Sequence, residues 1–206
     1  GKGTKYLEGY HYVTPDEVWQ HYGITAEQAD AGGMNPKMFN SFLDGTKSAI
    51  EMAAVSNATG LTPPEDGLGF PSCDVTKLAE LLRPRTEGGV LSDTGMVEVV
   101  SSIDRQGISL ERDLRWGVYV VFRAGDEYVR QCFSEYGLQT DSTGTFAAMY
   151  KPFHLIGLEL NISILSAALF NRATGTTQAF NSDVIAISKR DLKAGQLLDG
   201  EGGFCV

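Results

Sequence analysis

One run of polar residues in the first third of the chain has the residue types and spacing of an active site. Its members are spaced by three, four, three and four positions: Lys37, Asn40, Asp44, Lys47 and Glu51. On an α-helix this spacing places all five side chains along one face. Two carboxylates with a lysine between them can transfer protons, polarise a carbonyl group and bind a divalent cation. We therefore predict Asp44, Lys47 and Glu51 as catalytic residues, with Asp44 and Glu51 as the ligands of any metal ion.

The same stripe also has a purely structural interpretation, as the solvated side of an amphipathic helix. Ion pairs among Asp44, Lys47 and Glu51 would then contribute only about 0.2–0.5 kcal/mol each. The residues that flank the stripe are apolar: Met38, Phe39, Phe42, Leu43, Ile50, Met52 and Val55. They predict a largely buried helix, and a buried helix seldom keeps charges without partners or purpose.

Two lysines near the start of the chain form a possible anion site. Lys2 and Lys5 bracket the small residues Gly3 and Thr4. This arrangement offers two cations and accessible backbone N–H groups to a phosphate. Lysines in such a position are also commonly solvated, so the pattern alone leaves both interpretations open.

A second polar cluster follows an apolar segment in the second half of the chain. Lys151, His154 and Glu159 lie there among aromatic and aliphatic residues, and a histidine titrates near neutral pH. The alternative is a hydrogen-bonded structural histidine. The predicted substrate-binding set therefore combines these clusters with the first half of the stripe: Lys2, Lys5, Asn35, Lys37, Asn40, Lys151 and His154.

Caps, turns and periodicity predict the elements that would position these residues. Asn35 followed by Pro36 is a helix start and Gly60 is a helix stop, which predicts one central helix over 35–60. Alternating and β-branched residues predict strands, and helical periodicity predicts shorter helices. The predicted helices are 14–21, 75–82, 126–136 and 159–172, and the predicted strands are 96–103, 116–123, 147–150 and 184–187.

The order of these elements indicates an α/β (α+β) substrate or catalytic domain over 13–175, with a long central helix and a mixed sheet. A Thr- and Gly-containing linker then leads to a small β module over 176–206. Neither GxGxxG nor GxxxxGK[ST] occurs, so the usual glycine-rich cradle for a dinucleotide is absent from the sequence. The missing initiator Met and the apolar ending of the chain lead us to expect a fragment.

Composition excludes several classes of function. The chain has 26 acidic and 17 basic residues, a net charge of -9, and no long basic run, which argues against nucleic-acid or anionic-membrane binding. Cys73, Cys132 and Cys205 form no CxxC pair, which argues against a disulfide framework and a zinc site. No apolar run approaches the roughly 20 residues of a membrane helix. We expect a cytoplasmic protein.

Three stretches of the sequence resemble one bacterial family. They are Gly1–Leu7 (GKGTKYL), the segment from Met34 through Gly60, and Lys189–Gly195 (KRDLKAG). Together they are similar to the homoserine-dehydrogenase-like proteins with a C-terminal SAF (β-clip) domain, and in particular to the deoxyxylulose-phosphate-reductoisomerase-like branch. The resemblance spans nearly the whole chain.

The resemblance implies a Rossmann domain upstream of this region, with residues 1–12 as the tail end of that cofactor-binding domain and 176–206 as the SAF-like module. It implies NADPH as cofactor, possible help from Mg²⁺ or Mn²⁺, and a small phosphorylated substrate. The implied reaction rearranges 1-deoxy-D-xylulose 5-phosphate to a branched aldehyde. Hydride transfer then gives 2-C-methyl-D-erythritol 4-phosphate for isoprenoid synthesis.

Two other functions remain open from the sequence. A homoserine-dehydrogenase-type oxidoreductase would use the same hydride chemistry, with carboxylates binding the substrate ammonium group. A non-catalytic ligand-binding protein is the alternative from a different class. In each case we expect a homo-oligomer, with no nucleic-acid or membrane partner.

Overall fold

A five-stranded mixed sheet forms the centre of the structure, a computed structural model that describes residues 1–206. The strands lie in the order β2-β1-β3-β5-β4; β1 is parallel to β2, and all other neighbours are antiparallel. Their bounds are Lys2–Thr4 (β1), Val99–Ser101 (β2), Val118–Arg123 (β3), Gln139–Thr140 (β4) and Phe146–Lys151 (β5). The predicted α/β fold with a mixed sheet is therefore confirmed.

Seven α-helices surround the sheet. They are Val18–Tyr22 (α1), Ala26–Ala31 (α2), Pro36–Leu43 (α3), Thr46–Thr59 (α4), Leu78–Leu81 (α5), Glu127–Glu135 (α6) and Leu160–Phe170 (α7). Short 3-10 turns cover Glu8–Tyr12, Val75–Lys77 and Arg85–Glu87. No helix has both the length and the apolar character needed to span a bilayer.

The predicted single helix over 35–60 is wrong, because the chain breaks it at Asp44–Gly45. The start is as predicted: the Asn35 side chain accepts from the N–H groups of Lys37 and Met38, and Pro36 is the first helical residue. Gly45 then has φ of +94°, a left-handed conformation that glycine adopts without strain. The stripe is thus divided, with its first three residues on or at the end of α3 and its last two on α4.

The two faces of the sheet are covered differently. On one face, α5 contributes Leu78 to a core shared with Val100 and Phe146. On the other, Met52 of α4 packs against Val97 and Val99 beside β1. This second face is left open over β3 and β5, where the side chains of Val120 and Met149 are 52% and 55% exposed.

The C-terminal segment, residues 171–206, contains no helix or strand. The predicted strand over 184–187 is therefore wrong for this structure, and the SAF-like module over 176–206 stays a prediction. The segment instead binds to the helix pair at two places. Asn57 near the end of α4 bonds to Gln178 and Ser182, and Lys189 reaches the break between α3 and α4.

Lys189 and Asp44 form a buried ion pair at that break. Lys189 Nζ lies 2.8 Å from Asp44 Oδ2, and the two side chains are 6% and 2% exposed. The same ammonium group donates to the carbonyl oxygens of Val13 and Gly203 at 2.8 and 2.9 Å. The second carboxylate oxygen, Oδ1, accepts from the N–H of Thr46, the first residue of α4, at 3.0 Å. Every strong acceptor and donor of the pair is satisfied within the protein.

Replacing Lys189 with methionine is expected to reduce the free energy of unfolding by about 3 kcal/mol, because the change leaves the Asp44 carboxylate buried without its cation. Urea denaturation followed by circular dichroism measures this difference. Lys193→Met, which removes an exposed lysine from the same segment, is the matched control and should change stability by no more than about 0.5 kcal/mol. Equal stability of the two variants would show that the pair is dispensable.

Helix α7 stands out from the rest of the structure. Its apolar side chains point to all sides and are 49–69% exposed: Leu160, Ile162, Ile164, Leu165, Leu169 and Phe170. A helix that is apolar around its whole circumference normally packs against another surface. It is therefore a candidate contact surface for the predicted homo-oligomer.

Candidate active site

Two lysines and a glutamate come together where α4 crosses β1. The Lys2 ammonium group forms an ion pair with Glu51 Oε2, and Lys47 Nζ lies 3.6 Å from Glu51 Oε1. The Lys2 side chain is only 9% exposed, whereas those of Lys47 and Glu51 are each 28% exposed. Lys47 Nζ also lies 4.5 Å from the centre of the Phe42 ring. The glutamate is thus held between two cations, and Lys47 is the cation that solvent reaches.

The register of the sheet places a third lysine on the same face. Lys2 on β1 and Lys151 on β5 are both directly opposite Val118 on the strand between them. Directly opposite residues project to the same side of a sheet, about 5 Å apart at Cβ. The face that carries Lys2, Val118, Val120, Met149 and Lys151 is called the open face below. It has an exposed apolar floor with lysines beside it.

The Lys151 cluster predicted from sequence exists in the structure. Lys151 forms an ion pair with Glu159, whose Oε2 accepts from the N–H of Leu155 at 2.7 Å. These bonds, with the backbone bond from Leu155 the strongest, lower the pKa of Glu159. His154 lies beside the pair, and its Nδ1 is 3.0 Å from the carbonyl oxygen of Trp116. The cluster therefore marks the end of the open face next to α7.

Four of the predicted residues lie elsewhere, and three of them contact the C-terminal segment. Asn35 caps α3, and Lys37 donates to the carbonyl oxygen of Asp199. Asn40 is fully buried and donates to the carbonyl oxygens of Val13 and Gly202, while its own Oδ1 has no partner. Asp44 pairs with Lys189, as described above. These contacts give each of the four polar residues a structural role. None of the four belongs to the open face.

Lys5 is also separated from Lys2. Its Nζ donates to the carbonyl oxygen of His21 at 2.8 Å. Burial, assisted by the nearby charge of Arg115, lowers the pKa of Lys5. The predicted pairing of Lys2 and Lys5 around one phosphate is therefore not formed, and Lys5 instead holds the loop after β1 against α1.

The structure does not fit the predicted metal site. Both carboxylates proposed as ligands are taken, Asp44 by Lys189 and Thr46, and Glu51 by Lys2 and Lys47. They lie on different sides of the α3–α4 break. No group of three or more His, Cys, Asp or Glu residues has a geometry that could hold a metal ion.

Tyr6 and His11 form a hydrogen-bonded pair that the sequence did not predict. Tyr6 Oη lies 2.7 Å from His11 Nε2, and His11 Nδ1 lies 2.9 Å from the carbonyl oxygen of Asp44. Tyr6 packs against the Met52, Val97 and Val99 cluster, on the side of the sheet that α4 covers. Burial, with a contribution from Glu8, raises the pKa of Tyr6. A five-residue separation of Tyr and His in a loop is no known signal for such a pair.

Comparison with known protein families identifies the family of this chain. The family described as oxidoreductase DRL, catalytic domain, matches residues 1–160. The chain belongs to this family. A comparison with curated proteins finds no match.

The DRL catalytic-domain match covers every strand, the first six helices and all the residues that line the open face. It includes β1, which lies between β2 and β3 in the sheet, although residues 1–12 were predicted to belong to a cofactor-binding domain. That domain assignment stays a prediction. The membership supports an oxidoreductase catalytic domain and therefore an enzyme.

A nucleotide cradle of the usual kind is not built by these residues. No strand in the structure leads through a GxGxxG or GxxxxGK[ST] loop into a helix. The open face instead combines an exposed apolar floor with lysine side chains beside it.

Proposed function

We propose that this DRL-family domain handles the substrate in an NADPH-dependent reaction of the reductoisomerase type. The substrate would be 1-deoxy-D-xylulose 5-phosphate, and the product 2-C-methyl-D-erythritol 4-phosphate, an isoprenoid precursor. The observation that carries this proposal is the Lys2–Glu51–Lys47 cluster beside the exposed floor of the open face.

The charges around the open face favour an anionic substrate. Lys2, Lys47 and Lys151 outnumber the two carboxylates that pair with them, Glu51 and Glu159. The chain as a whole carries a net charge of -9. A local excess of positive charge on an acidic protein attracts an anion such as a phosphate ester to this face. Lys151, at the outer end of the face, is the proposed phosphate contact.

Lys47 has the exposure and the neighbours to polarise the substrate ketone. Its ammonium group is partly open to solvent, and Glu51 and the Phe42 ring fix its position. As charge develops on the ketone oxygen during rearrangement, a positioned ammonium group stabilises that charge and donates a proton. Bound NADPH supplies the hydride of the second step.

Glu51 is better suited to positioning than to taking a proton. Each of its oxygens faces an ammonium group, Oε2 that of Lys2 and Oε1 that of Lys47. Neither oxygen is therefore directed at a substrate hydroxyl. In the proposed mechanism Glu51 holds Lys47 at the edge of the open face, and Lys2 holds Glu51.

The test is an assay of the purified protein, expressed from its complete gene, for oxidation of NADPH. We expect oxidation that depends on 1-deoxy-D-xylulose 5-phosphate, with 2-C-methyl-D-erythritol 4-phosphate identified as product by mass spectrometry. Homoserine with NAD⁺ or NADP⁺ is assayed in parallel. Turnover of homoserine alone would replace the proposal by a homoserine-dehydrogenase activity, and tight binding of the sugar phosphate without turnover would indicate a ligand-binding protein.

Two further proposals concern the cellular location and the oligomeric state of the enzyme. We propose that the enzyme acts in the cytoplasm, which agrees with three unpaired cysteines. We also propose a homo-oligomer, and the exposed apolar helix α7 supports that proposal.

A further inference from the structure

The proposed mechanism lacks a group that takes the proton of a substrate hydroxyl. Rearrangement of a hydroxy-ketone requires such a group, and both oxygens of Glu51 are already paired. Asp44 is buried against Lys189 and is not accessible. The Tyr6–His11 pair, in contrast, is titratable, reached by solvent and adjacent to the start of α4.

The hydrogen bonds of the pair define its proton positions. The carbonyl oxygen of Asp44 can only accept, so His11 Nδ1, at 2.9 Å from it, must carry a proton. In a neutral imidazole the other nitrogen, Nε2, is then an acceptor. The Tyr6 hydroxyl, at 2.7 Å, consequently donates to Nε2. This leaves the lone pairs of the phenolic oxygen free to accept a proton from another molecule.

The surroundings hold both rings in place. The Tyr6 ring is stacked on Phe70, with 4.0 Å between the ring centres. Phe70 has φ of +46°, an uncommon conformation for a bulky residue and one that persists only where the structure imposes it. Backbone N–H groups of Gly69 and Phe70 donate to the Glu98 carboxylate, which fixes this turn.

The pair lies at the α3–α4 break, close in the chain to Lys47. Gly45, one residue before α4, has its Cα against the His11 ring: a Cβ there would lie 3.4 Å from His11 Cε1. Lys47 follows two residues later, in the first turn of α4. Tyr6 follows β1, two residues after Thr4, whose side chain contacts the carbonyl oxygen of Phe42. The Tyr6–His11 pair and Lys47 therefore adjoin the same α3–α4 break.

We propose that Tyr6 and His11 form a proton relay, in which Tyr6 takes the hydroxyl proton of the substrate and His11 stores it. The inference rests on the proposed function. Tyr6 is the catalytic residue, since it touches the substrate; His11 acts through Tyr6 and the Asp44 carbonyl orients it.

The substrate O–H bond breaks and its proton moves to Tyr6 Oη, while the phenolic proton moves to His11 Nε2 and forms an imidazolium ion. The hydroxyl oxygen becomes the aldehyde oxygen as the carbon skeleton rearranges, and the ketone oxygen takes a proton from Lys47, which solvent restores. On reduction of the aldehyde, for which bound NADPH would supply the hydride, the aldehyde oxygen would take the stored proton back through Tyr6.

The first experiment measures the His11 ring without substrate. In the ¹⁵N NMR spectrum of protein labelled at histidine, we expect Nδ1 to be protonated and Nε2 to have the shift of an unprotonated acceptor. Tyr6→Phe should move the Nε2 signal, whereas Tyr12→Phe, which changes an exposed tyrosine one position from His11, should not. A proton on Nε2 in the neutral ring would overturn the relay whether or not the protein turns over a substrate.

The second experiment measures turnover of 1-deoxy-D-xylulose 5-phosphate with NADPH. Tyr6→Phe should lower kcat by about 100-fold with little change in KM, and Tyr12→Phe should match the wild type. His11→Ala should lose a similar factor and recover on addition of free imidazole, because His11 is exposed and its site stays open. A purely structural histidine would not give this rescue.

The two failures can be told apart. An active wild type with an equally active Tyr6→Phe variant would overturn the relay alone. A wild type that turns over neither the sugar phosphate nor homoserine would overturn the proposed function, and the catalytic role of Tyr6 with it. In that case the NMR result would describe a structural Tyr–His pair.

Discussion

Substitution of Lys47 by methionine is expected to lower kcat for the sugar phosphate by about 10²–10³-fold, the loss typical for removal of one positioned electrostatic group. The reason is that Lys47 is the only member of the Lys2–Glu51–Lys47 cluster that is both cationic and appreciably exposed. Steady-state kinetics with NADPH oxidation as the signal gives the comparison. The effect should be on kcat more than on KM, since the charge that Lys47 stabilises develops during the reaction.

Lys77 offers a matched control for the effect of Lys47→Met on kcat. Lys77→Met removes an exposed lysine just before α5, on the opposite face of the sheet, and should leave kcat unchanged. The Lys47→Met variant should also retain its fold, because an i,i+4 ion pair on a helix that solvent partly reaches contributes only about 0.3–0.5 kcal/mol. A loss of less than about tenfold in a folded Lys47→Met variant would remove Lys47 from the mechanism.

Gly3→Ala is expected to destabilise the protein by about 3 kcal/mol or more, a large part of the total stability of a domain of this size. A Cβ at Gly3 would lie 1.8 Å from the carbonyl oxygen of Leu114, a backbone atom that no rotamer change can move. Gly3 sits in the middle of β1, and its N–H donates to the carbonyl oxygen of Gly117 at 3.0 Å. The substitution would therefore force β1 away from its neighbours.

Gly9→Ala is the matched substitution for this measurement. No atom lies within 4 Å of a Cβ at Gly9, so both variants change the unfolded chain in the same way and only Gly3→Ala causes a clash. Urea denaturation, or circular dichroism where Gly3→Ala fails to fold, gives the difference. If both variants were equally stable, β1 would not pack against the Leu114 backbone as described.

Local signals in the sequence predicted the helix ends well but missed one break. Asn35 and Pro36 start α3 as expected, and Gly60 ends α4 in a left-handed conformation. Asp44–Gly45 is a turn dipeptide, yet the apolar periodicity continues through it and concealed the break. Strand β1 has three residues, and its pairing with β2 and β3 depends on partners about 100 positions away, which periodicity does not reveal.

In the candidate site, too, local contacts could be predicted from the sequence and long-range contacts could not. The Lys47–Glu51 pair follows from i,i+4 spacing on a helix and was predicted. The Lys2–Glu51 ion pair joins residues 49 positions apart, and its formation depends on how α4 crosses the sheet. Residues 184–187 have the composition of a strand, but they pair with no strand of the sheet and so form none. Composition and spacing therefore predict contacts within one segment of the chain. Contacts between distant segments depend on the tertiary fold.

The buried pair of Asp44 and Lys189 has a consequence for how the protein is made. The two residues are 145 positions apart, so at about 5–20 residues per second the ribosome adds Lys189 roughly 7–30 s after Asp44. Until Lys189 is added, the Asp44 carboxylate lacks the cation that it pairs with in the folded chain. We therefore expect the junction of α3 and α4 to close late in biogenesis, after the C-terminal segment has been made.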